Sequence, residues 1–386
     1  MSADVIIQLL QSAVCFGTVI MFGALGEILT EKSGNLNLGV PGIMYLGGIA
    51  GLAASFFYEF NNPNPSGAVC LILSFVAAFL AAALGGLLYS FLTITLRANQ
   101  NVTGLTLTIF GGGVANFFGG SLNTMAGGVG QISVAATSAV YRANINNAAD
   151  LGTFGSLFLS YGFMVYLAII VAIVMSWFLN HTRTGLNLRA VGENPATADA
   201  AGINVTRYKY LATCVGAGIS GMGGLYYTMD YIKGTWGSDG TIESLGSLAV
   251  AQVIFATWRS LNAIWGSYLF GLLFWVYLII PGLGRKDIEL FKMLPYLVTI
   301  VVLVATSLRK KRENQPPESL GLPYSVRTAE SMQKIHRFNS GGFLCLKDSF
   351  YQSSSGCSDA SVAIFSAVSA TRFTQSPSDV AFLKQI

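Results

Sequence analysis

The chain is built around nine runs of apolar residues separated by short polar segments: Val5–Gly26, Leu38–Tyr58, Ala68–Leu96, Val102–Leu122, Leu157–Leu179, Tyr208–Met229, Ser244–Trp258, Ala263–Pro281 and Leu290–Leu308. Crossing the hydrocarbon core of a bilayer takes about 20 mostly apolar residues, and all but the seventh run meet or approach that length. Hydrophobic residues make up 53% of the chain and charged residues only 10%, against about 25% charged in an ordinary soluble domain. No soluble fold hides that much apolar surface. The pattern predicts an all-α, polytopic transmembrane helical bundle of about nine spans. The second run opens on Gly39, Pro41 and Gly42, and the Gly-bearing stretch 234–246 precedes the short seventh. These two elements are open to being broken or re-entrant, so the count ranges from eight to ten.

Orientation follows from the excess of Lys and Arg in cytoplasmic segments of membrane proteins. With Arg309–Arg312 in the cytoplasm, alternation puts Lys32, Arg97, Arg183, Arg189, Arg207, Lys209 and Arg259 on the same side. Arg142, Lys233, Arg285, Lys286 and Lys292 fall outside, a ratio of eleven to five. The N-terminus is then expected outside and the C-terminus inside. The start MSADVIIQLLQ has no Lys or Arg before its apolar run, unlike the basic region of a cleaved signal peptide, so the first run reads as a retained span. The net charge of +4 gives no footprint for a nucleic-acid partner. The five cysteines form no CxxC pair and indicate neither a metal nor a redox framework.

The longest expected cytoplasmic segment between spans, Asn180–Arg207, reads NHTRTGLNLRAVGENPATADAAGINVTR. It holds a short helix with clear start and stop signals. Asn194 is a suitable N-cap, Pro195 suits the first helical position, Ala dominates the interior, and Gly202 suits the stop. Such a capped helix of small residues can press its backbone against another protein; the plainer reading is a surface connection between two spans.

The stretch Arg183–Ile203 resembles the cytoplasmic loop of the ribose/branched-chain amino acid permease family of ABC importers, most fully its nucleoside/simple-sugar branch, associated with basic-membrane-protein-type lipoprotein receptors. Further matches are Gly26, Glu27 and Ser33–Gly48 near the N-terminus, the looser stretch Gly240–Gly271, and RENQPPESLGLPY at Arg312–Tyr324. That branch usually has Glu where this chain has Pro41. The resemblance covers residues 1–324. It implies a permease domain over 1–312, a family-like cytoplasmic segment over 313–324, and an atypical segment over 325–386. It further implies an ATPase-coupling loop at Arg189, Gly192, Glu193, Asn194, Pro195, Ala196, Asp199 and Gly202. The implied partners are an ABC ATPase subunit, a second permease subunit of a different chain, an extracytoplasmic substrate-binding lipoprotein and membrane lipid, in the cytoplasmic membrane of a bacterium. No cofactor is expected on this chain.

The chain has no Gly-x-x-x-x-Gly-Lys-Ser/Thr phosphate loop, so under this reading ATP is hydrolysed by a partner subunit. No catalytic constellation is visible, which argues against an enzyme. Glu27, Glu59, Arg97 and Asp230 sit near span ends and read as interface residues, leaving few intramembrane acids for an ion-coupled carrier. A stand-alone secondary transporter or channel for small polar solutes remains the rival, since broken helices occur there too. The polar groups most suited to a wet pathway are Asn35, Asn37, Asn101, Thr108 and Asn116; hydrogen bonding between helices is the plainer role for each. Ser325–Ile386, rich in Ser and without a span, reads as a disordered cytoplasmic extension, with a read-through terminus or a regulatory domain as alternatives.

Overall fold

A computed structural model describes residues 3–125, 132–143, 155, 157–237, 240–280, 284–309, 315–322 and 324. They belong to one compact unit, Met1–Tyr324; the segment 325–386 lies outside the described residues, as does the expectation made for it.

The described elements are helices. They are α1 (Ala3–Glu31), α2 (Val40–Asn61), α3 (Gly67–Ser90, continued by a π-turn Phe91–Thr95), α4 (Gln100–Met125) and α5 (Ala135–Tyr141). After these come α6 (Phe163–His181), α7 (Arg183–Glu193), α8 (Pro195–Ala200) and α9 (Val205–Tyr226, continued by a π-turn Tyr227–Tyr231). The last are α10 (Thr241–Phe255), α11 (Ser260–Trp275), α12 (Arg285–Lys292) and α13 (Leu294–Arg309). An isolated antiparallel bridge between Ser133 and Thr235 is the only strand-like pairing among the described residues.

Every apolar run expected to span is helical, yet five helices among the described residues are both long and apolar enough to cross a membrane: Val5–Glu31, Val40–Asn61, Gly67–Thr95, Gln100–Met125 and Phe163–His181. The others fall short for identifiable reasons. Helices α10, α11 and α13 have 15, 16 and 16 residues, and α9 is rich in Gly and Tyr beyond the Arg207 and Lys209 of its first turns, which keeps it less apolar than the five.

The centre of the bundle is α1, packed on α9, α11, α10 and α6, while α2 packs on α3, α9 and α4. From Phe16 to Glu31 every residue of α1 is buried, as expected of a helix that is apolar on all sides. Lipid is as apolar as a leucine side chain, so close backbone approach is what drives such helices together. The crossing of α1 and α9 shows it: a Cβ on Gly26 would lie 2.2 Å from the Gly216 carbonyl oxygen, and one on Gly216 would lie 2.5 Å from that of Gly26. The outward stripe of α3, Ile72, Val76, Leu80 and Leu84, is exposed, an apolar face with i, i+4 spacing suited to lipid.

Connections gather at the two ends of the bundle. At one end Glu59 accepts hydrogen bonds from the backbone N–H and the hydroxyl of Thr137 at the start of α5 (2.7 and 2.5 Å). The opposite end collects the α1–α2 turn, the loop after α3, the α7–α8 segment, the α10–α11 corner, residues 315–322 and Tyr324. That end holds the candidate site.

Candidate functional site

The break before α2 is real and lies inside the bundle. After α1 the chain turns at Lys32–Gly34, with Gly34 at φ +86°, runs without helix through Asn35–Gly39, and starts α2 at Val40 with Pro41 in its first turn. Pro suits that position because its missing N–H would have had no helical partner. Non-helical backbone buried inside a bundle must find its partners in the surrounding protein, and here four helices supply them. Asn37 N–H donates to Glu27 Oε1 of α1 (2.9 Å). Leu36 N–H donates to Gln100 Oε1 of α4 (2.7 Å), and the Leu36 carbonyl accepts from the hydroxyl of Tyr89 on α3. Asn35 Nδ2 donates to Thr213 Oγ1 of α9 (3.0 Å). The Leu38 carbonyl accepts from Thr108 Oγ1 (3.3 Å), and Asn37 Oδ1 takes the N–H of Gly39 (2.9 Å).

This network corrects one reading and accounts for others. Glu27 is not an interface residue: it is 0% exposed, and its carboxylate is an acceptor for the broken segment. Of the candidate pathway residues, Asn35, Asn37 and Thr108 converge on that segment, where each bonds to backbone or to a neighbouring helix. Asn101 and Asn116 are exposed on α4, and the N–H of Asn101 donates to Asn99 Oδ1 (3.0 Å) in the local helix cap. The structure therefore does not bring all five together. Asn35 and Asn37 are legible as polar groups in the broken segment; of the partners of that segment, Glu27, Tyr89, Gln100 and Thr213, only Glu27 falls in a motif that the sequence marks.

The loop after α6 folds as two short helices. Thr182 caps α7 by accepting from Gly185 N–H (3.0 Å). Asn194 caps α8 by accepting from Thr197 N–H (3.0 Å), with Pro195 at the first helical position. Gly202 ends the unit at φ +82°, a left-handed conformation open mainly to glycine. Ala198 packs inward with Val191 and Val205, while Thr197, Asp199, Ala200, Ala201 and Gly202 are exposed. Pro195 and Ala196 are half-buried beside them.

Gly192 joins this unit to the broken segment. A Cβ there would sit 2.3 Å from the Lys32 carbonyl oxygen and 3.3 Å from Gly34 N, so only glycine lets α7 end against the α1–α2 turn. Ser319 locks the junction, donating to the Gly192 carbonyl from its N–H (3.1 Å) and its hydroxyl (2.5 Å). Gly321 N–H reaches the Gly34 carbonyl (3.3 Å), and the Tyr324 hydroxyl donates to Asp199 Oδ2 (3.1 Å). Ser319 and Tyr324 belong to the C-terminal motif, which the sequence marked without suggesting a use for it. Glu193, the last residue of α7, is exposed, and Arg189 is half-buried on its cleft-facing side.

A capped surface unit tied rigidly to a non-helical element inside a membrane bundle is the arrangement a relay of motion requires. Residues 9–303 match the family described as branched-chain amino acid transport system / permease component. The chain belongs to this permease family. Relatives include the nucleoside ABC transporter permease protein NupC of Lactococcus lactis, 31% identical over 292 residues, covering 75% of this chain and 88% of that one. The guanosine ABC transporter permease protein NupQ of Bacillus subtilis is 28% identical over 317 residues, covering 80% and 93%. TsgC13 of Haloferax volcanii, provisionally assigned as a glucose ABC transporter permease, is 32% identical over 271 residues, covering 69% and 75%. No solved structure matches the chain. Membership of the permease family implies a multi-pass membrane protein working with the other components of an ABC system.

Proposed function

We propose that this chain is the membrane-spanning permease subunit of an ATP-driven importer in a bacterial cytoplasmic membrane, and that it passes nucleosides, or related simple sugars, delivered by an extracytoplasmic binding lipoprotein. The ATPase subunit docks on the exposed face of α8, around Asn194–Gly202, and a second, different permease chain completes the pathway. The end of the bundle bearing α8 faces the cytoplasm, with the N-terminus outside. The observation that carries this reading is the junction at Gly192. Movement imposed on α8 is passed through α7 to the α1–α2 turn, and from there to the Asn35–Gly39 segment. Rigid motion of a packed element about such a segment can switch a cavity between outward and inward access. The names of NupC and NupQ favour nucleosides, and the name of TsgC13 supports the sugar alternative.

Two measurements test it. The chain is co-expressed with the ABC ATPase of its own genome, with and without Asn194–Gly202 replaced by a Gly/Ser linker, and ATPase retention on purification is scored. Uptake of radiolabelled guanosine is followed in the same membranes with ATP present or with the ion gradient collapsed. ATPase retention lost only in the replaced loop, with uptake that needs ATP and survives loss of the gradient, is the expected result. Uptake that follows the gradient and ignores ATP overturns it in favour of a stand-alone carrier.

A further inference from the structure

Beside the α7–α8 unit lies a cleft of about 780 Å³ between the ends of α6 and α11, with the α1–α2 turn behind it. Three cations line it, Lys32, Arg189 and Arg259, against the single acid Glu193. The Nε of Arg189 is buried there with no hydrogen-bond partner, and an unpaired guanidinium nitrogen calls for an anion. Burial first pushes the Lys32 ammonium below its ordinary value; Glu193, and more weakly the buried Glu31, oppose the effect, and Arg189 and Arg259 add to it. Arg259 is held in place at some cost in strain. Thr257 and Trp258, at the α10–α11 corner, both adopt left-handed backbone at φ 51° and 55°, which is unfavourable for residues with a Cβ. The Trp258 indole donates to the buried Glu31 carboxylate, which fixes the corner and delivers Arg259 to the cleft.

We propose that this cleft binds the phosphate headgroup of an anionic phospholipid. The surroundings favour lipid over a soluble partner. Leu186, Arg189, Ala190 and Glu193 form the cleft-facing stripe of α7, with i, i+3, i+4, i+7 spacing. The opposite stripe, Leu188 and Val191, is buried, and α8 packs on it. The cleft is therefore on the other flank of α7 from α8. Its mouth is rimmed by the exposed side chains of Leu186 and Leu261, and the apolar surface continues one turn along α11 to Trp265, 80% exposed. A headgroup in the cleft leaves its acyl chains lying on that surface. Basic pockets between membrane helices recognise anionic headgroups in this way. The assignment depends on membrane placement alone, not on the solute transported.

The test uses the full-length chain with the subunits that co-purify. After delipidation it is titrated with phosphatidylglycerol or phosphatidylcholine, and bound lipid is read by native mass spectrometry. The wild-type chain should bind phosphatidylglycerol on the order of tenfold more tightly, from several-fold per basic residue, and high salt should erase most of the difference. Arg259→Gln should reduce the preference about fivefold and Arg189→Gln/Arg259→Gln should abolish it. Arg259→Lys, which keeps the charge, should retain most of it, and Lys292→Gln, beyond the far end of α11, should change nothing. Equal binding of the two lipids by the wild-type chain overturns the proposal without any variant, as does an unchanged preference in the double variant. Displacement of the lipid by millimolar inorganic phosphate would make the site one for a free anion. Phosphatidylglycerol binding only when the ATPase is absent would make the cleft a protein contact; either result rejects the lipid assignment while leaving the transport reading intact.

Discussion

Gly192→Ala isolates the junction from everything around it. The added methyl would stand 2.3 Å from the Lys32 carbonyl oxygen and 3.0 Å from its carbon. Ordinary contact begins near 3.4 Å, so α7 must withdraw by roughly 1 Å, the scale of shift that overpacking forces at about 1–3 kcal/mol. Both atoms in the clash are backbone, and no side-chain rotation can relieve it. Ser319 would have to follow Gly192 or release its two hydrogen bonds to that carbonyl. If this cost falls on the state in which α8 pushes against the turn, uptake should drop roughly five- to hundredfold, at tenfold per 1.4 kcal/mol. The α8 cap at Asn194 is untouched, so the ATPase should remain bound. The assay is ATP-driven uptake and ATPase retention, measured on the same membranes at equal amounts of chain. Uptake at the wild-type level would refute the relay, because the clash would then be absorbed without consequence. Parallel loss of uptake and ATPase retention would also refute it, since the defect would then lie in docking. Gly202→Ala is the contrasting case: no atom lies within 4 Å of its Cβ, but φ is +82°, so about 1–2 kcal/mol of backbone strain falls on the docking unit itself, and ATPase retention should weaken first.

Three further outcomes are expected. Gln100→Leu takes the acceptor from the half-buried N–H of Leu36, which should cost about 1 kcal/mol and lower the thermal midpoint of the purified protein; an unchanged midpoint would mean water replaces the side chain. Asn194→Ala removes the cap on Thr197 N–H and should weaken ATPase retention by an amount equivalent to about 1 kcal/mol, with Asn194→Asp restoring it in a pull-down titration. Deleting Ser325–Ile386 should leave membrane insertion and uptake unchanged, as checked by cell fractionation and transport at matched expression.

Local chemistry made part of this molecule legible before folding. Five of the apolar runs became helices long and apolar enough to cross a membrane, as their length and composition foretold, while the others formed shorter or less apolar helices. The α8 unit formed between its expected cap and stop because Asn194, Pro195 and Gly202 act on neighbours within three residues. The broken start of α2 was signalled by Gly39 and Pro41 for the same reason. The satisfaction of that break was not legible: its partners Glu27, Tyr89, Gln100 and Thr213 come from four helices, up to 178 residues away in the chain. Proximity to a span end made Glu27 look like an interface residue, because the depth at which α2 begins is set by packing and not by the local sequence. The cation cleft was hidden likewise, since Lys32, Arg189 and Arg259 are distant in sequence and meet only when α6 and α11 are side by side.

The manner in which Asn35–Gly39 is held has a consequence for how such a protein can be tuned. A helix that shifts breaks and remakes a ladder of identical backbone bonds, and its energetics are shared by every residue in it. Here the peptide groups of Leu36, Asn37 and Leu38 answer to single side chains on neighbouring helices. The hold on this segment can therefore be loosened in single steps, by one substitution at one neighbour, while the helices around it keep their own backbone ladders.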